Sequence, residues 1–237
     1  MGYIRNKLPI PAKGCRSWIM TSATCSLVAK LFAVITSAGI FTLGAEIWFG
    51  VTVSFMAFFR DPIRTKIKFS KSARKNQGAR EIPQNHSNLM IAPADGKITR
   101  IQDNKVSIFM NLHNVHVNRS PIKGQVTDIQ YRKGGYIPAF MKDSERNERN
   151  IITLSTEFGE CDVTQISGTM FRRIVPYIKI GDEIFMGQRI GMIRFGSRVD
   201  VTIPDGFDRI VQYGDKVRAG ETIIAERSER VERAERR

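Results

Sequence analysis

The chain has 237 residues, enough for one well-cored domain with an appendage and too few for two large domains. Its 37 Lys and Arg against 23 Asp and Glu leave a formal charge of +14, so the surface attracts anions such as lipid headgroups or nucleic acid, and charge alone does not choose between them. Cys15, Cys25 and Cys161 are an odd number without zinc-type spacing, which argues against a disulfide framework or a zinc knuckle and points to reducing surroundings.

From Trp18 to Phe59 the sequence is apolar apart from scattered Ser and Thr, with Lys30 and Glu46 its two charges. One helix needs about 20 residues to cross a bilayer core, and the stretch 18–59 is about twice that, so a membrane hairpin turning near Gly39 to Gly44 is expected within an anchor of residues 1–59. Arg5, Lys7, Lys13 and Arg16 precede it and Arg60, Arg64, Lys66 and Lys68 follow, which by the positive-inside rule places both ends, and the remaining 60–237, on the cytoplasmic face of the cell membrane. A monotopic, partly inserted hairpin competes with a spanning one, because Lys30 and Glu46 are costly at mid-bilayer and can snorkel from a shallow position. Residues 66–88 are rich in Lys and Arg and in turn formers and read as a solvated basic linker whose charges favour an anionic leaflet.

After Leu89 the texture changes to short β-branched runs broken by Gly, Pro and Asp, as in KITRIQDN, NIITLSTEFG and CDVTQISG. A mainly β fold is expected, a compact sandwich or barrel-like catalytic domain with hammerhead-type hairpins behind the α-helical membrane hairpin. IKIGDEIFMGQRIGMI, from Ile178, and VQYGDKVRAGETIIAE, from Val211, form a weak repeat in which Gly181 matches Gly214 and Gly187 matches Gly220. Such hairpins resemble those of lipoyl and biotinyl carrier domains, but no lysine occupies the tight turn that cofactor attachment needs. The ending ERSERVERAERR is a solvated helix or tail.

Four clusters stand out: FFRDPIR (58–64), APADGKI (92–98), LHNVHVNRSPIKG (112–124) and IRFGSRVDV (193–201). Together with NERN (147–150) and GTMFRRIV (168–175), in this order, they resemble the phosphatidylserine decarboxylase family, above all its short branch, which includes archaetidylserine decarboxylases. The resemblance implies self-cleavage between Gly196 and Ser197, giving residues 1–196 (β chain) and 197–237 (α chain), an αβ heterodimer from one precursor. It also implies that Ser197 becomes a covalent pyruvoyl group. The chemistry follows from the residue types: glycine leaves its carbonyl open and allows unusual backbone angles, so the serine hydroxyl can attack it. A pyruvoyl ketone then condenses with the serine amine of the lipid as a Schiff base and serves as electron sink, releasing CO2 and phosphatidylethanolamine.

By the same resemblance His116 is the base for Ser197, Asp95 its orienting acid, and His113 a helper in decarboxylation or protonation. On residue type alone, a strand histidine and an Asp before Gly are commonly structural, and HxxH without a further ligand is a thin metal site, so no metal is expected. Arg119, Arg149, Arg172 and Arg173 lie in the family-like stretches, and their guanidinium forks suit a phosphate or carboxylate headgroup or structural ion pairs. The expected partners are an anionic phospholipid membrane and phosphatidylserine, with no nucleic acid, and a homo-oligomer stays open. Two alternatives remain: a pyruvoyl decarboxylase of another amino-acid substrate, and a non-enzymatic membrane-tethered biotinyl- or lipoyl-like β module. Headgroup chemistry does not separate phosphatidylserine from archaetidylserine.

Overall fold

The computed structural model describes residues 16–36, 39–64, 66–73, 86–135, 137, 146–168, 174–194 and 196–228. The chain divides into two compact units, one ending at Pro62 and the other beginning at Ile63.

The first unit is a pair of helices, α1 (Arg16–Thr36) and α2 (Gly39–Phe58). Ile19, Ser22 and Ser26 share one face of α1 and are buried, as are Ala45 and Thr52 on α2, so small side chains let the two backbones approach. Gly39 to Gly44, where the turn was expected, are helical. Lys30 Nζ lies 3.9 Å from Glu46 Oε1 and 5.0 Å from the centre of the Phe49 ring, so the two charges answer each other. Thr24, Thr52 and Ser54 turn their hydroxyls back onto the carbonyls of Met20, Trp48 and Gly50, 2.7–2.8 Å away. Among the described residues no helix is long and apolar enough to cross a membrane, and the expected spanning hairpin is not confirmed.

The second unit is mainly β. Its largest sheet has eight antiparallel strands in the order β10 (Glu183–Ile184), β6 (Gly124–Arg132), β7 (Arg149–Thr156), β8 (Gly159–Ile166), β12 (Ser197–Thr202), β4 (Lys105–Met110), β3 (Gly96–Gln102) and β14 (Lys216–Val217). A three-stranded sheet places β11 (Arg189–Ile193) between β5 (Val117–Arg119) and β9 (Ile174–Pro176). In the third, β15 (Thr222–Arg227) pairs with β2 (Leu89–Ile91), with β13 (Phe207–Arg209) and, in parallel, with β1 (Lys68–Phe69). Alternate residues of the central strands, among them Val106, Ile108, Ile152, Leu154, Val163, Val199 and Val201, fill one apolar core.

The repeat read from the sequence is a repeat of hydrogen bonds. Gly181 donates to Val126 and Gly214 to Ile98, while Gly187 donates to Ser120 and Gly220 to Ala92, all at 2.8–2.9 Å. All four glycines have positive φ, between 72° and 90°. The symmetry extends to a part that was not recognised in the sequence: PADG (93–96) and PIKG (121–124) occupy equivalent corners. There Arg119 N donates to Pro93 O at 2.9 Å and Ile91 N to Pro121 O at 3.0 Å.

The first residues of the expected linker are packed rather than solvated. Ile67 and Phe69 join Ala73, Leu89 and Ile223 in a small apolar cluster, and the hydroxyls of Ser70 and Ser72 both donate to the Asp215 carboxylate. The linker ends in a single 3-10 turn at His86–Asn88, while its residues 74–85 and the tail from 229 lie outside the described residues.

Candidate active site

Two chain segments cross side by side from one sheet to another. Strand β4 of the eight-stranded sheet leads through residues 111–116 into β5 of the three-stranded sheet; β11, paired with β5, leads through residues 194–196 into β12, paired with β4. The last bond of one ladder runs from Ile193 N to His116 O at 3.2 Å, and the first pair of the other is Ser197 with Met110. The histidine loop and the Gly196–Ser197 bond therefore face each other at a seam between sheets, which is why motifs about 80 residues apart belong to one site.

Gly196 has φ +50°, and among the described residues, its chain neighbours aside, no heavy atom lies within 4 Å of where a Cβ would stand, so the bend leaves room at the bond. Ser197 opens β12 and is fully buried, with its Oγ 3.3 Å from the Met110 sulfur. A thioether is a weak acceptor, so the hydroxyl is located without a strong competitor for its proton.

His116 is 2 % exposed, and its Nδ1 lies 2.8 Å from the Asn114 carbonyl oxygen. That contact places a proton on Nδ1 and leaves Nε2 as the basic nitrogen. Asp95 is also buried, but its oxygens are taken by Arg64 at 2.7 and 2.9 Å, by the backbone N–H of Ala219 at 2.9 Å and by that of Val115 at 3.4 Å. The carboxylate thus reaches the residue before His116 and braces its backbone. Arg64 was not singled out as a site residue in the sequence; its signal was the FFRDPIR cluster, whose last residue it is.

His113 is exposed in the loop between β4 and β5. Arg119 is wholly buried, and its Nη1 donates to the Gly187 carbonyl at 3.1 Å, which suits a cross-brace between repeats better than a headgroup clamp. Arg149 is half-buried at the start of β7, while Arg172 and Arg173 lie outside the described residues.

The sequence profile of the phosphatidylserine decarboxylase family matches residues 69–225. The chain belongs to the phosphatidylserine decarboxylase family. A Methanosarcina mazei protein provisionally named archaetidylserine decarboxylase proenzyme is 48 % identical over 218 residues, covering 90 % of this chain and 95 % of its own. The phosphatidylserine decarboxylase proenzyme of Thermobifida fusca is 45 % identical over 230 residues, covering 93 % and 94 %. That of Streptomyces avermitilis is 38 % identical over 228 residues, covering 90 % and 92 %. The matched stretch begins at the buried Phe69 of β1, takes in the histidine loop and the seam, and stops short of the helical pair.

Proposed function

We propose that the chain is a proenzyme that cuts itself between Gly196 and Ser197 and then, as a membrane-seated decarboxylase, converts phosphatidylserine to phosphatidylethanolamine and CO2. The observation that carries this reading is the buried Ser197 following a glycine of positive φ at a corner between two sheets. His116, with Nδ1 against Asn114, is the base that takes the Ser197 proton. As Oγ bonds to the Gly196 carbonyl carbon, the peptide C–N bond breaks and an ester links the two residues. Loss of the Ser197 Cα proton then expels Gly196 as a carboxylate that keeps the former Oγ. The dehydroalanine left behind takes a proton on its methylene carbon and becomes an imine, water adds to the imine carbon, and ammonia departs to leave the ketone.

The residues present fit a pyruvoyl group at position 197. The new terminus would be the first residue of β12, held from Arg198 on by β4 and β8, in a place already shut off from water. When present, that group supplies the electron sink that decarboxylation of an amino acid requires. The fold contributes the dry seam around it, and His113, exposed in the loop between β4 and β5, would exchange a proton with the substrate.

Support for a membrane seat comes from the helical pair, whose Leu27, Val28, Leu31, Trp48, Phe49 and Met56 are all exposed. They would face lipid on the cytoplasmic side of the cell membrane. A relative named for archaetidylserine makes that lipid the second reading. Both are tested by measuring CO2 release from vesicles of each serine lipid and from a soluble serine ester. Wild type should act on a serine lipid and Ser197→Ala on none; equal turnover of the soluble ester would move the chain to another amino-acid substrate.

A further inference from the structure

Five strands each contribute one residue to a line of contacts that ends at Ser197. Asn150 on β7 donates through Nδ2 to Gln165 Oε1 at 3.1 Å, and Gln165 on β8 donates through Nε2 to Asn118 Oδ1 at 2.7 Å. Asn118 on β5 then turns its Nδ2 to the sulfur of Met110 on β4, 3.7 Å away, the same sulfur that lies 3.3 Å from Ser197 Oγ on β12. Asn118, Gln165, Met110 and Ser197 are fully buried and Asn150 nearly so.

In the structure each amide of the line turns its N–H group toward the serine. Turning the Gln165 amide over would set its oxygen against Asn118 Oδ1, and turning Asn118 would set two amide nitrogens against each other. Neither amide can be turned by itself without breaking the line. Gly191 on β11 makes room for this amide: a Cβ there would stand 3.0 Å from Gln165 Nε2, 3.3 Å from Gln165 Oε1 and 2.9 Å from Val175 O, so bare backbone is kept where the glutamine lies.

Buried amides cost free energy unless satisfied, and apolar side chains of similar volume would fill this space without that demand. The purpose of the line is where it ends. We infer that Asn118, oriented by Gln165 and Asn150, is a positioning residue for Ser197 that acts through the sulfur of Met110. The Asn118 N–H engages the thioether lone pairs, fixes the sulfur, and so holds the serine hydroxyl toward the Gly196 carbonyl while leaving its proton weakly bound. Amides in sequence polarise one another in a dry interior, which strengthens the last donor.

This inference rests on the self-cleavage reading, and the test separates the two. The full chain is made by cell-free synthesis and its cleavage followed over time by intact mass, at equal folded fraction by circular dichroism. Wild type is compared with Asn118→Leu, the near-isosteric Asn118→Asp, Met110→Leu and the double variant Asn118→Leu/Met110→Leu. Both Asn118 variants should cut about tenfold more slowly, as expected for loss of one hydrogen bond that aligns the transition state. In the Met110→Leu background the Asn118 substitution should add nothing, because its route to the serine is gone. If Asn118→Leu folds poorly, Gln165→Met, one bond further back, should show the same slowing. Unchanged rates, or slowing that multiplies in the double variant as a general loosening would, overturn the inference; an uncut wild type overturns the underlying reading instead.

Discussion

At the scale of single residues, the buried Arg64–Asp95 pair joins two motifs whose paired residues are 31 positions apart in sequence, FFRDPIR and PADG. Removing one member of such a pair strands a charge in the interior, so Arg64→Met should cost about 3–5 kcal/mol. Arg64→Met combined with Asp95→Leu should recover part of it, the rest being the cost of leaving the Ala219 and Val115 N–H groups without their acceptor. Denaturant midpoints of the single and double variants check this, and equal losses in both would mean the pair is not a unit. Cys161 makes a second prediction. Burial, with a smaller push from the Asp162 carboxylate, raises its thiol from 9.0 to about 12. Between those values the unfolded chain gives up a proton that the folded chain keeps, so this contribution to stability is whole below about pH 9 and is lost as pH rises toward 12. Melting temperature against pH should fall less steeply in Cys161→Val than in wild type over that window.

At the scale of elements, the 197–237 piece does not form a separate body. Its β12 lies between β8 and β4, its β14 pairs with β3, and its β15 pairs with β1 and β2 from the other piece. After cleavage the two pieces should elute together in native gel filtration and separate only in denaturant; separation under native conditions would contradict these ladders. Much of this was legible in sequence. The β texture, the Gly-Asp repeat and the Gly196–Ser197 turn are local patterns, set by side-chain period and by glycines that the turns require. The PADG–PIKG symmetry was not seen because only Pro and Gly survive in it. The strand at Lys68–Phe69 was hidden by flanking lysines, whose charges say nothing of the buried Phe69 between them. Asn118, Gln165 and Asn150 were out of reach for a different reason: an amide in a strand carries no periodic signal, and its role exists only where five strands meet.

At the scale of the whole molecule, the chain combines an apolar helical pair with a basic β unit. The proposed membrane seat would make that combination useful, because a headgroup presented at a bilayer surface would be met by a catalytic unit held at the same surface. Full-length protein should float with anionic vesicles even at high salt, while residues 63–237 alone should bind weakly and release as salt rises, since only the screened electrostatic part remains. Flotation of the two to the same extent would remove the anchor from the account. The most direct test of the central claim is the intact mass of the purified wild-type chain beside Ser197→Ala. The account predicts a carboxy-terminal piece that begins at residue 197 with a ketone in place of its amine, present in wild type and absent from the variant. A folded wild-type chain of full, uncut mass would contradict it.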